Sequence, residues 1–201
     1  MRTIEEIQAL VRAHQVRPVG KFLRFAVLYP LVQTDEGLAL LYEKRSQKIS
    51  QPGESSFPGG RMEDGETAKE TAIRETVEEL GIARSRIEIF GRWNPLITYS
   101  NMIIETYVGT IKDFRPARFV PNNEVEEIFA VPLSFFKDTP PSIYQSTLCM
   151  EHPDDFPYEL LPQERDYPFR TGSHETLFWL WNDRVIWGLT ALLTQDFINH
   201  I

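Results

Sequence analysis

The chain has 201 residues, a formal net charge of −8, and 42% hydrophobic and 25% charged residues. These proportions are typical of soluble globular proteins, and the length predicts one domain spanning residues 1–201 with short terminal extensions. The acidic balance argues against nucleic acid as a partner, because binding to its backbone requires lysine and arginine to neutralise phosphates, and a phosphate-containing ligand would need metal cations here.

We expect no targeting or anchoring segment among the N-terminal residues. Glu5 and Glu6 interrupt a run of apolar residues at helical spacing, which predicts a short helix and not a signal-peptide core. The longest apolar run, residues 22–32, is too short to span a bilayer. The lone Cys149 excludes an intramolecular disulfide framework. We therefore expect a cytoplasmic protein without a membrane partner.

Two strands and a long loop follow. Residues 22–31 and 38–43 have strand-like composition and are joined by the turn-rich residues 33–37, which predicts a hairpin. Residues 46–65 contain several proline–glycine and glycine-rich turns, which indicates a loop with short extended pieces. Loops of this length in compact domains usually carry function.

A helix is predicted over residues 67–80. Its apolar residues recur at helical spacing, and Gly81 stands where a helix commonly ends. Beyond it we expect strands, a short helix, a hairpin and a closing helix, in chain order at 87–93, 103–111, 128–131, 132–136, 176–181 with 184–187, and 189–201. Strands and helices that alternate in this way predict an α/β or α+β layered fold.

Three glutamates lie close together on the predicted helix. Glu75, Glu78 and Glu79 stand at i, i+3 and i+4, which places their carboxylates on one surface patch. Solvent screening or a bridging divalent cation would each relieve the repulsion between them. The three residues alone therefore leave two interpretations open, a solvated acidic face and a metal site.

A longer pattern surrounds these glutamates. It is the pattern G-x5-E-x7-R-E-U-x-E-E-x-G-U, in which U is a bulky aliphatic residue, and it is matched by Gly60, Glu66, Arg74, Glu75, Glu78, Glu79, Gly81 and Ile82. Only Thr76, at the first U position, departs from it. The pattern resembles that of the Nudix hydrolases and is called the Nudix box below, with Glu75, Glu78 and Glu79 as the box glutamates. A chance match is expected on the order of once in 10⁸ windows. The resemblance implies the Nudix fold, an α/β/α sandwich with a mixed sheet and a catalytic loop-helix-loop.

The resemblance also implies an activity and a metal site. Nudix hydrolases use Mg²⁺ or Mn²⁺, hard cations that prefer oxygen ligands, to hydrolyse a P–O–P bond in a nucleoside diphosphate linked to another group. By resemblance, Glu78 and Glu79 are the principal metal ligands, and the carbonyl of Gly59 is a further one. Glu75 is either a ligand or the base that activates water.

Two further roles follow from the resemblance. Arg74 and Glu66 are expected to orient the metal-binding glutamates. The family often takes its general base from a later loop, where Glu124 and Glu127 are the candidates, so Glu75 and these two acids stay open as alternatives.

The loop before the Nudix box indicates which substrate is expected. Residues 45–60 are similar to the extra motif of coenzyme A diphosphatases, and residues 167–170 and 186–191 resemble that subgroup's C-terminal region. This implies cleavage of coenzyme A or a derivative to 4′-phosphopantetheine and 3′,5′-ADP. We expect substrate contacts from Arg45, with Lys44 and Lys48 beside it, and from Gln51 and Phe57. The aromatic residues Phe169, Phe178, Trp181 and Trp187 either contact the substrate or form core, and core is the more common role.

Several alternatives remain. An ADP-ribose, ADP-sugar or dinucleotide hydrolase would use the same box. A non-catalytic nucleotide-binding Nudix domain would generally lose the box glutamates, which this chain retains. An isomerase of allylic diphosphates would need a catalytic cysteine, for which Cys149 is poorly placed. The expected partner is a small diphosphate compound, and a homodimer is a further alternative to a monomer.

Overall fold

The computed structural model describes residues 2–201, and its elements are numbered here in chain order. The helices are α1 Ile4–Ala13, α2 Ala68–Leu80, α3 Leu133–Asp138 and α4 Gly188–Ile198. The strands are β1 Leu23–Thr34, β2 Gly37–Arg45, β3 Ser55–Ser56, β4 Gly59–Arg61, β5 Ile87–Arg92, β6 Leu96–Ile97, β7 Met102–Ile111, β8 Val125–Pro132, β9 Ser142–Leu148, β10 Gly172–Trp181 and β11 Arg184–Trp187.

The main sheet is mixed. Its strand order is β3-β2-β1-β7-β5, and β4, β8 and β6 pair with β1, β2 and β7 respectively. β1 and β7 run parallel from the pair Leu23 and Met102 to the pair Leu31 and Thr110, whereas β1 with β2 and β5 with β7 are antiparallel. The predicted hairpin between residues 22–31 and 38–43 is therefore confirmed.

Helices cover both faces of this sheet. Ile73 and Leu80 of α2 pack on one face, over Leu28 and Leu41 of the central strands. On the other face, α4 joins a second cluster, whose members include Tyr29, Tyr42, Leu193 and Phe197. The sheet thus lies between two layers, which confirms the α/β/α sandwich with a mixed sheet.

Helix α2 begins and ends as its sequence predicts. Thr67 is the N-cap of a capping box with Glu70, in which each side chain accepts a hydrogen bond from the other's backbone N–H. At the other end Gly81 adopts φ +62°, and a side chain there would collide with the carbonyl of Val120. The left-handed conformation and the close approach both require glycine.

The C-terminal part contains more strand than predicted. The hairpin of β10 and β11 is present, but β9 adds a third strand, paired with β10 from Ser142 to Leu148. Helix α1 also forms as predicted, although none of its residues is buried. Within residues 2–201, no helix combines the length and the apolarity needed to cross a bilayer.

Candidate active site

The glycine pair of β4 lies directly against the carboxylates of α2. Gly59 and Gly60 pair with β1, and the N–H of Gly59 donates a hydrogen bond of 2.8 Å to Oε2 of Glu79. Gly59 has φ +154°, and a Cβ there would lie 2.6 Å from the Cα of Val27. A Cβ on Gly60 would overlap the carboxylate of Glu75. Glycine at both positions therefore lets the loop backbone reach these carboxylates.

Glu79 is the most deeply placed of the three box glutamates. It is only 4% exposed, although it carries a carboxylate. Burial raises the pKa of Glu79, and the nearby Glu43 raises it further, while the Gly59 N–H acts in the opposite direction. A buried carboxyl group in this position is stable only with a proton or a cation beside it.

Glu75 and Glu78 extend the cluster from Glu79 toward solvent. The side chain of Glu75 is 17% exposed and that of Glu78 is 53% exposed. Burial raises the pKa of Glu75, and the positive charge of Arg74 opposes that rise. The interpretation as a solvated acidic face, one of the two that the sequence left open, therefore applies to Glu78 and not to Glu75 or Glu79.

Arg74 ties the cluster together. Its Nε and Nη2 donate to the two oxygens of Glu66 at 2.7 and 3.1 Å, and its Nη1 donates to Glu75 at 2.9 Å and to Glu78 at 3.2 Å. Thr71 adds a hydrogen bond of 2.8 Å to Glu66. The hydrogen bonds from Arg74, followed by that from Thr71, lower the pKa of Glu66 to about 2. Arg74 thus joins Glu66 to two of the three glutamates, and the orienting role expected for Arg74 and Glu66 stays a prediction.

Glu124 reaches the same cluster from the loop before β8. Its carbonyl accepts a hydrogen bond of 2.7 Å from the Ser46 N–H, and its charge contributes to raising the pKa of both Glu75 and Glu79. Glu127, the other candidate base, forms an ion pair with Arg184. The structure therefore brings Glu124 to the box glutamates and directs Glu127 elsewhere.

The match to a protein family agrees with this geometry. The family model described as NUDIX domain matches residues 22–142, more than half of the chain. The chain belongs to the Nudix family. Among its Nudix relatives, Nudix hydrolase 3 of Caenorhabditis elegans is 32% identical over 175 residues, which cover 85% of this chain and 70% of the relative.

Two further relatives are named coenzyme A diphosphatases. The mitochondrial enzyme of Homo sapiens is 31% identical over 174 residues, which cover 85% of this chain and 66% of that protein. The peroxisomal enzyme of Mus musculus is 32% identical over 136 residues, which cover 66% of this chain and 56% of that protein. The chain is thus a Nudix hydrolase, and its resemblance to the coenzyme A diphosphatases is confirmed, although it spans less than two thirds of either one's length.

Arg45 stands just before the loop that precedes the Nudix box, and Gln51 lies within that loop. Arg45 donates from Nε to the carbonyl of Ser50 at 3.0 Å, so its guanidinium group braces this loop. Gln51 is exposed and has φ +56°, which sets it at the tip of a turn. Lys44 pairs with Glu126 at 2.7 Å. Arg45 and Gln51 remain predictions as substrate contacts.

Phe57 lies in the core, contrary to its predicted role as a substrate contact. It is 3% exposed, and its ring packs between Tyr29 and Tyr42 at centroid distances of 4.5 and 4.8 Å. Its neighbours come from β1 and β2, on the face of the sheet that α4 covers. The ring has no surface left for a ligand, so its role is packing.

Most of the C-terminal aromatic residues pack against other aromatic rings. The ring centroids of Trp181 and Phe135 are 4.8 Å apart, and those of Phe169 and His152 are 4.4 Å apart. Phe178 and Trp187 stack on each other, 5.6 Å apart and nearly parallel. None of the four is buried, however: Trp187 is exposed and the other three are partly buried, so the core role expected for them is wrong for Trp187 and only partly met by the rest.

Sequence reasoning missed one acidic residue, Glu43. It lies on β2, is 2% exposed, and influences the pKa of Glu79 more than any other charged group does. The available signal was its phase, because Glu43 falls on the same side of the strand as Leu41 and Ala39. A charged residue at a core-facing position is unusual enough to indicate a site.

The residues at this Nudix site fit a hard divalent cation. They offer only oxygen donors, from Glu75, Glu78, Glu79 and the backbone of Gly59, and they leave one buried carboxylate oxygen, Oε2 of Glu43, without a hydrogen-bond partner. In the conformation described for residues 2–201, no three acidic, histidine or cysteine side chains converge as ligands on one point. Arg74 holds the carboxylates of Glu75 and Glu78 in that conformation.

Proposed function

We propose that this Nudix hydrolase cleaves the diphosphate linkage of coenzyme A or a derivative, giving 4′-phosphopantetheine and 3′,5′-ADP, and that it requires Mg²⁺ or Mn²⁺. The observation that carries the proposal is the contact of the Gly59–Gly60 backbone with the carboxylates of Glu75 and Glu79. One buried and one largely buried carboxylate beside a partly exposed loop backbone form the kind of oxygen-rich site that divalent cations and phosphates occupy together.

Each residue of the site has a part in this proposal. Gly59, Glu75, Glu78 and Glu79 would hold the cation, and Arg74 with Glu66 would keep their carboxylates in place. The cation supplies positive charge that offsets the charge developing on the diphosphate.

The chemical step is a hydrolysis. The oxygen of a water molecule forms a bond to one phosphorus, the bond from that phosphorus to the bridging oxygen breaks, and the bridging oxygen leaves with the other phosphate. Glu124, next to the cluster and free of the ion pair that engages Glu127, would take the proton from the water. No covalent intermediate with the protein is needed.

The choice of coenzyme A rests on two supports. Two relatives carry the name coenzyme A diphosphatase. The loop that resembles their motif is braced by Arg45, and Gln51 in this loop is exposed. Both residues are proposed here as substrate contacts.

A substrate panel tests the proposal directly. Purified protein is incubated with coenzyme A, acetyl-coenzyme A, ADP-ribose, an ADP-sugar and a dinucleotide, each with Mg²⁺, with Mn²⁺ and with chelator, and products are measured by mass spectrometry. Metal-dependent formation of 4′-phosphopantetheine is expected. Cleavage of ADP-ribose or a dinucleotide alone would reject coenzyme A, and the same reaction in H₂¹⁸O identifies the attacked phosphorus.

A matched pair of glutamine variants tests the assignment of the site. Glu79→Gln removes a buried charge without changing side-chain volume, so we expect turnover to fall by about 10³-fold or more while the protein stays folded. Glu88→Gln removes an exposed glutamate that pairs only with Lys112, and it should leave turnover unchanged. Wild-type turnover in the Glu79 variant would refute the role of Glu79.

We propose that residues 1–201 form one domain, because Tyr42 in the sheet and Thr194 in α4 share a buried hydrogen bond of 2.9 Å. A cytoplasmic location stays a prediction, and two relatives are named for mitochondria and peroxisomes. Nucleic acid and membranes are not expected partners, and light scattering would distinguish a homodimer from a monomer.

A further inference from the structure

Glu43 carries a buried carboxylate on the face of the sheet that α2 covers. Side chains alternate between the two faces of a strand, and Ala39 and Leu41 of β2 belong to the cluster beneath α2. Tyr42, the intervening residue, belongs to the cluster on the opposite face. Glu43 is in phase with Ala39 and Leu41, so its carboxylate lies between the sheet and the helix that bears the box glutamates.

The hydrogen bonding of Glu43 is incomplete. Its Oε1 accepts a hydrogen bond of 3.0 Å from the hydroxyl of Ser56, which is directly across on β3. Its Oε2 is buried and has no partner among the described residues. Buried carboxylate oxygens in folded proteins nearly always have a hydrogen-bond donor or a metal ion beside them, so this oxygen indicates a ligand.

The charged groups around Glu43 are mostly acidic. Glu75 and Glu79 face it from α2, and Glu124 faces it from the loop before β8. Arg45, on the same strand, is a nearby cation that opposes the effect of these acidic groups, although its Nε donates to the carbonyl of Ser50. Arg45 offsets the negative charge of this group only in part, and a bound cation would neutralise Glu43 together with Glu79.

We propose that Glu43 is an additional ligand of the divalent-cation site, reaching it from the sheet, while the box glutamates reach it from the helix. This inference rests on the proposed function, since it adds a ligand to the site described there. The unpartnered Oε2 supplies a free oxygen, and Ser56 fixes the orientation of the carboxylate through the other oxygen. Hydrogen-bond partners such as Ser56 commonly orient the side chains that bind a metal ion.

The test measures binding of Mn²⁺ to the protein without substrate. Free Mn²⁺ is followed by electron paramagnetic resonance during titration of wild type, Glu43→Gln, Glu43→Asp and Ser56→Ala. Both Glu43 variants should bind Mn²⁺ at least about tenfold more weakly, because the first loses the charged ligand and the second withdraws it. Ser56→Ala keeps the carboxylate and should bind more tightly than either.

A second measurement separates metal binding from folding. In chelator, Glu43→Gln should melt at the same temperature as wild type or a higher one, because it removes a buried, unpartnered charge and keeps an acceptor for Ser56. Added Mn²⁺ should then raise the melting temperature of wild type more than that of the variant. If Glu43→Gln fails to fold, Glu43→Asp, which retains the charge, provides the same comparison.

The outcomes distinguish this inference from the proposed function. If Mn²⁺ and Mg²⁺ neither bind nor stabilise the wild type, the proposed metal site itself is wrong. If Glu79→Gln loses Mn²⁺ affinity while both Glu43 variants keep the wild-type affinity and stabilisation, the metal site stands and the role of Glu43 is refuted. In that case a proton shared with Glu79 accounts for the buried carboxylate.

Discussion

Replacing Gly60 with alanine should impair turnover while leaving the fold nearly unchanged. A Cβ at position 60 would lie 2.8 Å from Oε2 of Glu75, and nearer still to Oε1, whereas ordinary contact begins at 3.4 Å. Because Oε1 is nearer than Oε2, the carboxylate of Glu75 must move by about 1 Å to reach ordinary contact, and a displacement of that size at a reacting centre costs about 100-fold in rate. We expect kcat to fall about 10- to 100-fold, which corresponds to about 1.4–2.7 kcal/mol in the activation barrier.

The stability of this variant should change far less than its activity. The atom that obstructs the new methyl group is the end of a flexible side chain, and Gly60 does not have a positive φ. The free energy of unfolding should thus stay within about 1 kcal/mol of wild type in urea titrations. Gly91→Ala is the control, since a Cβ there meets nothing within 4 Å, and it should leave kcat unaltered.

Steady-state kinetics with coenzyme A and Mg²⁺, or with whichever panel compound is cleaved, provide the comparison. A kcat that is the same for wild type, Gly60→Ala and Gly91→Ala would refute the reasoning, because it would mean that displacing Glu75 has no consequence for the reaction. If the free energy of unfolding fell by as much as the activation barrier rose, Gly60 would instead have a structural role.

Four other substitutions have equally definite expectations. Phe57→Ala should cost about 3–5 kcal/mol in the free energy of unfolding, measured in urea, because it empties a core position; a cost under about 1 kcal/mol would contradict the burial of the ring. The pKa of Glu66 is lowered from 4.5 to about 2, so its stabilising effect is present above pH 4.5 and is lost as pH falls toward 2. Glu66→Gln should therefore flatten the decline in melting temperature over that range, and an unchanged decline would exclude the ion pair with Arg74 as its cause. Glu124→Gln should lower kcat by about 10²- to 10⁴-fold and Glu127→Gln should not; the reverse ranking in steady-state assays would exchange their roles.

Local signals in the sequence were sufficient to place helix α2 and its glutamates. The capping residue Thr67, the apolar spacing and the terminal Gly81 all act within a few residues, and the helix begins and ends within one residue of the prediction. The family pattern then singled out Arg74 and Glu66, which the structure joins by a hydrogen bond of 2.7 Å. Features determined over short distances along the chain are the ones that patterns capture.

Features that depend on distant segments were missed. Strand β9 is largely exposed, so its sequence has no alternation of apolar and polar residues that would predict a strand. It pairs with β10 across the long intervening segment 149–171. Phe57 sits in a loop motif that suggested ligand contact, but Tyr29 and Tyr42 close around its ring only once β1 and β2 have paired. Tertiary packing of this kind overrides what a local pattern indicates.

The C-terminal segment also limits how far this protein can be shortened. The carbonyl of its residue Val185 accepts a hydrogen bond of 2.8 Å from the hydroxyl of Ser55, four residues before Gly59, and Thr194 bonds to Tyr42 on the face of the sheet that α4 covers. Both attachments lie beyond residue 142, where the family match ends. An excised fragment of residues 22–142 would expose the rings of Tyr29, Tyr42 and Phe57 to water. Residues 143–201 thus support the segment before Gly59 from behind, in addition to the strand pairing that joins this segment to β1 and β2.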